Sequence, residues 1–271
     1  MTLIDRLPDA LVSLTDIHRQ AAGRKIALFL DLDGTLAPIE ARPDLVEVPR
    51  ATSELLEALA RICPVTVVSG RGLEDLRDKV GVRSLYYAAD HGSQILGPVR
   101  SRLELEVGRE YRPQLESAAT ALRRALQPVE GTLVEEKGLS LSVHYRLVPE
   151  SRYAAVLRAV ADVAERFPAL RVTEGKLVYE IRPPGDWSKG KALAWIMEQL
   201  GLGEANAAAP AGGFPIALGD DLTDEDMFAA VEGWGAGVLV GEPGRPTRAS
   251  YCVVDHLEAA RLLEAILGLL S

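Results

Sequence analysis

Cysteine is scarce in this chain, which has two among its 271 residues, Cys63 and Cys252. Each stands beside apolar residues, so we expect buried thiols rather than a disulfide or a cysteine-bound metal. No stretch comes near the roughly eighteen consecutive apolar residues of a membrane-spanning helix, and residues 1–10 lack a basic stretch followed by an apolar one. The sequence therefore predicts neither a membrane span nor a secretory signal, and a cytoplasmic protein is the expectation.

Basic residues are also in deficit. Lysine and arginine number 30 against 39 for aspartate and glutamate, which gives a formal net charge of −9. This balance argues against nucleic acid and anionic membranes as partners. An anionic substrate would have to be held by local positive charge. A hydrophobic share of 48% is typical of a globular protein with a substantial core.

Strand and helix patterns alternate in two separated stretches of the chain, before about residue 105 and again after residue 186. This alternation predicts an α/β fold with a doubly wound, Rossmann-like parallel sheet. The stretch between them combines paired strands with two amphipathic helices, which is typical of an α+β insertion. We therefore expect an α/β core over residues 1–107 and 184–271 and an inserted α+β domain over residues 108–183.

Three local patterns make further predictions. Leu7, Leu11 and Leu14 have helical spacing and predict an N-terminal packing helix. Residues 171–181 predict a hairpin that turns at residues 174–176. Residues 201–213 are rich in alanine and glycine and predict a surface linker.

The most informative segment is an apolar run, residues 26–30, that ends in two carboxylates, Asp31 and Asp33, followed by Gly34. The run is too short for a typical helix and predicts a buried strand, at whose carboxyl end open α/β sheets bind ligands. Residues i and i+2 of an extended segment point to the same side, so both carboxylates can face one site. Two adjacent carboxylates are unfavourable unless a cation or a proton lies between them. The alternative is an aspartate pair that only caps a following helix.

Three later segments place further polar groups in similar contexts. Ser69 ends an apolar, β-branched run, and Lys189 follows Ser188, a candidate helix N-cap. The acidic residues 220–226 follow another apolar run and offer the hard oxygen ligands that suit magnesium. Taken singly, each has a plainer interpretation: an ordinary turn, a solvated lysine and an acidic helix N-terminus.

In this order the four segments resemble the four signatures of the haloacid dehalogenase superfamily of aspartate-nucleophile phosphatases. The resemblance implies Asp31 as the nucleophile, Asp33 as general acid and then general base, and Ser69 and Lys189 as groups that contact the phosphate. It also implies Mg²⁺ as the cofactor. The resemblance implies that the metal is bound by the Asp31 side chain, the Asp33 backbone carbonyl and Asp220. It implies that Asp221 or Asp224 supports these ligands. The insertion resembles the C2-type cap, which closes over the site and selects the substrate.

Residues 139–146 alternate apolar and polar side chains, which predicts a strand with one face against helices and the other facing a ligand. This strand, residues 135–137, residues 176–183 and the acidic residues 219–228 resemble the trehalose-6-phosphate phosphatase family. The resemblance implies trehalose 6-phosphate as the small-molecule partner. The residues it implies for substrate binding are Glu135, Lys137, Lys176 and Glu180 for the sugar hydroxyls, His144 and Arg146 in support, and Arg71 near the phosphate.

Alternatives remain open for the substrate and for the charged residues of the insertion. Those residues could be surface ion pairs across neighbouring strands. Other sugar-phosphate phosphatases of the same cap class, of the sucrose-phosphate or mannosyl-phosphoglycerate type, would keep the core motifs and change the cap. A non-catalytic regulator would be expected to lack Asp31 or Asp33, and both are present. A monomer is the simplest expectation for the oligomeric state.

Overall fold

The computed structural model describes residues 7–40, 42–204, 212–242, 244 and 246–271. The chain divides into two compact units. We call Met1–Gly70, Glu74–Leu105 and Trp187–Ser271 the core unit, and Arg71–Leu73 and Glu106–Asp186 the insert unit. Within the described part of the chain, every helix is too short or too polar to cross a membrane.

Strands and α-helices are numbered in chain order. The strands are β1 (Lys25–Leu30), β2 (Val65–Val68), β3 (Tyr86–Ala89), β4 (Gln94–Leu96), β5 (Glu104–Glu106), β6 (Leu133–Glu136), β7 (Leu141–His144), β8 (Arg171–Gly175), β9 (Val178–Arg182), β10 (Gly213–Gly219), β11 (Ala236–Val240) and β12 (Tyr251–Val253). The helices are α1 (Leu14–Gln20), α2 (Arg50–Leu59), α3 (Leu73–Val80), α4 (Arg112–Leu126), α5 (Tyr153–Arg166), α6 (Lys189–Gln199), α7 (Glu225–Val231) and α8 (His256–Leu270).

The core unit is built on an eight-stranded sheet in the order β12-β11-β10-β1-β2-β3-β4-β5. From β12 to β3 all neighbours are parallel, whereas β4 runs antiparallel to β3. The strand order reverses between β1 and β10, so their carboxyl ends form the switch point at which open α/β sheets bind ligands. Apart from Lys25, every residue of these two strands is buried. The predicted doubly wound α/β fold is confirmed.

The insert unit contains a four-stranded antiparallel sheet in the order β6-β7-β9-β8. Val143 and Tyr179 are paired neighbours on one face of this sheet and belong to an apolar cluster with buried residues of α4 and α5. The opposite face carries polar side chains, because strand residues alternate between the two faces. The predicted α+β character of the insertion is confirmed.

The predicted N-terminal helix is present, but the prediction that it includes all three leucines was wrong. Helix α1 begins at Leu14, and both Leu7 and Leu11 precede it. The Asp9 side chain accepts hydrogen bonds from the N–H groups of Leu11, at 2.7 Å, and Val12, at 3.1 Å. These bonds hold a turn, which competes locally with a helix.

The hairpin turn, the linker and two short strands also differ from the predictions. The hairpin turns at residues 176–177, because Gly175 still pairs with Val178 and Leu177 takes the positive φ of 61° that tight hairpin turns require. The linker is shorter than predicted, since Gly213 already pairs with Lys25 in the sheet. Residues 205–211 of that linker lie outside the described residues. Strands β4 and β5 were not predicted, since three residues each are too few to show a period.

Candidate active site

Three carboxylates converge at the switch point of the core sheet. Asp31 directly follows β1, Asp220 directly follows β10, and Asp224 ends the 3-10 turn Leu222–Asp224. One oxygen from each lies within 4.8 Å of the others. Asp31 and Asp224 are buried and Asp220 is half-buried. Such a group of oxygen ligands is the kind that hard divalent cations prefer.

Two glycines allow these carboxylates to approach the backbone. A β-carbon on Gly34 would lie 2.3 Å from Asp220 Oδ2, and one on Gly219 would lie 2.2 Å from Asp224 Cγ. Gly34 also has a φ of +84°, which side chains other than glycine adopt at a cost. Glycine is therefore required at both positions, because the Asp220 and Asp224 side chains occupy the space that a β-carbon would take.

Lys189 connects two of the carboxylates. It is the first residue of α6, whose N-cap Ser188 accepts a hydrogen bond from Lys191 N. The Lys189 ammonium donates to Asp31 Oδ1 and to Asp224 Oδ1, each at 2.7 Å, and its side chain is 4% exposed. Charge-assisted hydrogen bonds at this distance are strong, and their burial protects them from screening by salt.

The electrostatics of this cluster favour an additional cation. Burial raises the pKa of Asp31 well above its usual range, and the neighbouring Asp224 carboxylate adds to this shift. Burial, and then the charges of Asp224 and Asp221, raise the pKa of Asp220 to about 7. Burial alone would lower the pKa of Lys189, but Asp31 and Asp224 outweigh it, and the pKa lies above its usual value. One ammonium group therefore does not compensate the carboxylates fully.

The structure separates Asp221 from Asp224, which the sequence left as alternatives. The Asp221 side chain accepts a hydrogen bond from Leu222 N at 2.6 Å and caps the 3-10 turn. Asp224 Oδ2 accepts a hydrogen bond from Asp221 N, and Asp224 Oδ1 faces Lys189. Asp224 therefore belongs to the carboxylate cluster, and the Asp221 carboxylate is engaged by the backbone.

Asp33 and Ser69 lie in the loops that follow neighbouring strands. Asp33 is half-buried, and the turn around it is closed by a bond from Gly34 N to Ala37 O at 2.8 Å. Ser69 directly follows β2 and is buried, and its N–H donates to Ala88 O at 2.9 Å. Both residues therefore lie at the carboxyl ends of the parallel strands β1 and β2.

In the insert unit, a row of polar residues crosses the sheet. Glu135 pairs with Ser142, and Ser142 pairs with Glu180, so all three side chains share one face. Glu180 Oε1 accepts hydrogen bonds from the Lys137 ammonium at 3.2 Å and from the Ser142 hydroxyl at 3.3 Å. The Arg182 guanidinium donates to the other oxygen of Glu180. Lys137 and Ser142 are buried.

Glu135 occupies the same polar face. Its Oε2 lies 2.8 Å from His144 Nε2. Burial alone would raise the pKa of Glu135, but the hydrogen bond with His144 and the charges of Lys137 and Arg71 outweigh it, so the pKa lies below its usual value. Arg71 is itself buried. Glu135 is therefore a charged acceptor at neutral pH.

Two of the predicted substrate residues lie apart from this buried network. Arg146 follows β7 in an exposed turn, and Lys176 is exposed in the turn between β8 and β9. Sequence reasoning missed Ser142 and Arg182 as partners of Glu180. The alternation of strand residues was the signal for Arg182, which is two residues beyond Glu180 and so lies on the same face.

The fold is similar to that of haloacid dehalogenase-like hydrolases. A haloacid dehalogenase-like hydrolase from Bacteroides thetaiotaomicron superposes with a TM-score of 0.61 over 90% of this chain and 99% of that one, at 17% identity. The C-terminal domain of Candida albicans trehalose-6-phosphate phosphatase gives a TM-score of 0.73 over 98% of this chain and all of that one, at 22% identity. At these identities the likeness shows the fold.

Sequence comparison narrows the class to a family. A family model described as trehalose-phosphatase matches residues 29–245. Trehalose-phosphate phosphatase B of Arabidopsis thaliana is 35% identical over 273 residues, which cover 97% of this chain and 72% of that protein. This chain belongs to the trehalose-phosphatase family and is a phosphatase of the hydrolase class.

Proposed function

We propose that this protein hydrolyses trehalose 6-phosphate to trehalose and phosphate, the last step of trehalose biosynthesis, with Mg²⁺ and through an aspartyl-phosphate intermediate. The observation that carries the proposal is the cluster of Asp31, Asp220 and Asp224 around Lys189 at the switch point of the sheet. Family membership and the similarity to trehalose-phosphate phosphatases support the choice of substrate.

The residues of the cluster fit a magnesium ion. Their oxygens are hard ligands within 4.8 Å of one another, and the raised pKa values of Asp31 and Asp220 indicate that the carboxylates lack compensating charge. We assign the ion to the side chains of Asp31 and Asp220 and to the Asp33 backbone carbonyl, with Asp224 beside it. When bound, Mg²⁺ neutralises charge on the phosphoryl oxygens and on the nucleophile.

Each of four side chains of the core unit has its own role in the proposed reaction. Asp31 attacks the phosphorus in line and forms the aspartyl-phosphate, while Asp33 protonates the oxygen of the departing sugar. Asp33, now ionised, removes a proton from the water that hydrolyses the intermediate. Lys189 favours the ionised form of Asp31 and orients it, and the Ser69 hydroxyl donates to a phosphate oxygen. These groups are fixed before charge develops, which is the condition for strong electrostatic catalysis.

The polar face of the insert unit is proposed to bind the sugar, and residues 108–183 to act as the cap that selects it. Glu135 and Glu180 are charged acceptors for sugar hydroxyls, and Lys137 is a charged donor beside them. His144 orients Glu135, and Arg182 orients Glu180. Arg146 and Lys176, both exposed, are assigned only a supporting contribution.

Phosphate release tests the reaction and the substrate together. Purified protein is incubated with trehalose 6-phosphate, sucrose 6-phosphate, glucose 6-phosphate or p-nitrophenyl phosphate, with Mg²⁺ and again with a chelator. We expect Mg²⁺-dependent release with a strong preference for trehalose 6-phosphate, and none from Asp31→Asn. Preference for another sugar phosphate would refute the substrate, and full activity of Asp31→Asn would refute the nucleophile.

Variants of the insert unit test the sugar site separately. Glu180→Gln should lower kcat/KM for trehalose 6-phosphate by roughly tenfold to a hundredfold, because a charge-assisted hydrogen bond contributes about 1.5–3 kcal/mol. It should leave hydrolysis of p-nitrophenyl phosphate nearly unchanged. Glu174→Gln is the control, since Glu174 is exposed on the neighbouring strand and pairs with Tyr179 on the other face. Equal losses on both substrates would mean that Glu180 only stabilises the fold.

A further inference from the structure

The turn that follows β3 has an unusual backbone. Asp90, His91 and Gly92 have φ values of 49°, 54° and 91°, so three consecutive residues are left-handed. Only glycine adopts this conformation freely, and each non-glycine residue held there costs about 1–3 kcal/mol. Such strain persists only where neighbouring groups hold it in place, and it occurs preferentially at functional sites.

On one side this turn holds the loop after β2. His91 N donates to Ser69 O at 2.9 Å. The His91 ring lies against the α-carbon of Gly70, because a β-carbon on Gly70 would be 2.7 Å from the ring atoms Cε1 and Nε2. Gly70 is not among the residues with positive φ, so space rather than backbone conformation requires glycine at this position.

On its other side the turn meets the beginning of α6. The Trp187 indole N–H donates to Gly92 O at 2.6 Å. A β-carbon on Gly92 would lie 2.5 Å from Ala192 Cβ and 3.3 Å from Ser188 O. One strained turn therefore contacts both the loop that carries Ser69 and the helix end that carries Lys189.

We propose that His91 is a positioning residue for the phosphatase reaction, which fixes the Ser69–Gly70 peptide through its ring and its N–H group. The turn sets the distance between the Ser69 hydroxyl and the Lys189 ammonium, two groups that act on the same phosphoryl group in the proposed mechanism. Displacement of such a group by about 1 Å can lower the rate by roughly a hundredfold. The inference rests on the proposed phosphatase chemistry and is independent of which sugar is bound.

A double-mutant cycle on His91 and Gly70 tests this role, with p-nitrophenyl phosphate as the substrate and Mg²⁺ present. His91→Gly removes the ring and accepts the φ of 54° without strain. We therefore expect kcat to fall by roughly a hundredfold while the melting temperature does not fall. A residue with a purely structural role would lower the melting temperature instead. His18→Ala, at an exposed position in α1, should match the unmodified protein.

The second single variant of the cycle adds a methyl group at position 70. Gly70→Ala displaces the His91 ring or the loop, so kcat should fall by a similar factor. In the His91→Gly background the same substitution should have little further effect, because both changes disrupt one contact. Wild-type kcat in His91→Gly, or effects of the two substitutions that simply multiply, would overturn the inference. If the wild-type protein is inactive, both the proposed phosphatase chemistry and the positioning role of His91 are refuted. An active wild-type protein with an unaffected His91→Gly variant refutes only the positioning role.

Discussion

Replacing Lys189 with methionine would remove the ammonium group that donates to both Asp31 and Asp224. The methionine side chain fills a similar volume, so the main change is electrostatic. Asp31 and Asp224 are buried, and their carboxylates would remain without this compensating charge. Removing one partner of a buried ion pair costs about 3–5 kcal/mol, because the remaining charge stays desolvated. This change therefore separates the electrostatic contribution of Lys189 from its packing.

The expected loss of stability is large enough to measure directly. A change of 1 kcal/mol in the free energy of unfolding shifts the melting temperature by about 2–4 °C in domains somewhat smaller than this chain. The melting temperature of Lys189→Met in the presence of a chelator should therefore be roughly 10 °C lower than that of the wild-type protein. Removal of a donor that stabilises charge in a transition state lowers kcat by about a hundredfold to a thousandfold. The variant should therefore be both less stable and nearly inactive.

Calorimetry and phosphate release test these two expectations. Lys191→Met is the control, because Lys191 lies two residues further along the same helix and is exposed. Its melting temperature should change by no more than about 2 °C, the effect of a typical surface substitution. The reasoning is refuted if Lys189→Met and the wild-type protein have the same melting temperature in the presence of a chelator. In that case Asp31 and Asp224 would have to accept protons or rearrange without Lys189.

Further expectations concern packing and thiol chemistry. Gly190→Ala should destabilise the protein by about 1–3 kcal/mol in denaturant unfolding, although alanine favours helices, because its β-carbon would lie 2.1 Å from Asp226 O. Gly268→Ala in α8 should instead stabilise it by about 0.5–1 kcal/mol, since nothing lies within 4 Å of the new methyl group. Burial raises the pKa of Cys63 to about 11, so about one thiol in a thousand is ionised at pH 8. Iodoacetamide at pH 8 should therefore label Cys63 only after unfolding, and rapid labelling of Cys63 itself in the native protein, located by peptide mapping, would contradict this.

The positions of Asp31, Ser69 and Lys189 at the ends of their elements could be predicted from the sequence. Each stands where an apolar run ends or where a capped helix begins, and such boundaries depend on neighbouring residues. The doubly wound topology follows because strands separated by helices pair in parallel. The roles of these residues remain predictions.

The available chemical groups, and the strand or helix end that carries each of them, can be read from the sequence alone. Which of these groups meet depends on the tertiary structure. The choice between Asp221 and Asp224 depends on a 3-10 turn that commits one carboxylate to the backbone and directs the other to Lys189. The contacts of Lys137 and Ser142 with Glu180 and the strained turn at His91 likewise arise only after strands have paired in register. The physical reason is that register and close packing depend on residues far apart in the chain, whereas strand ends and caps depend on residues nearby.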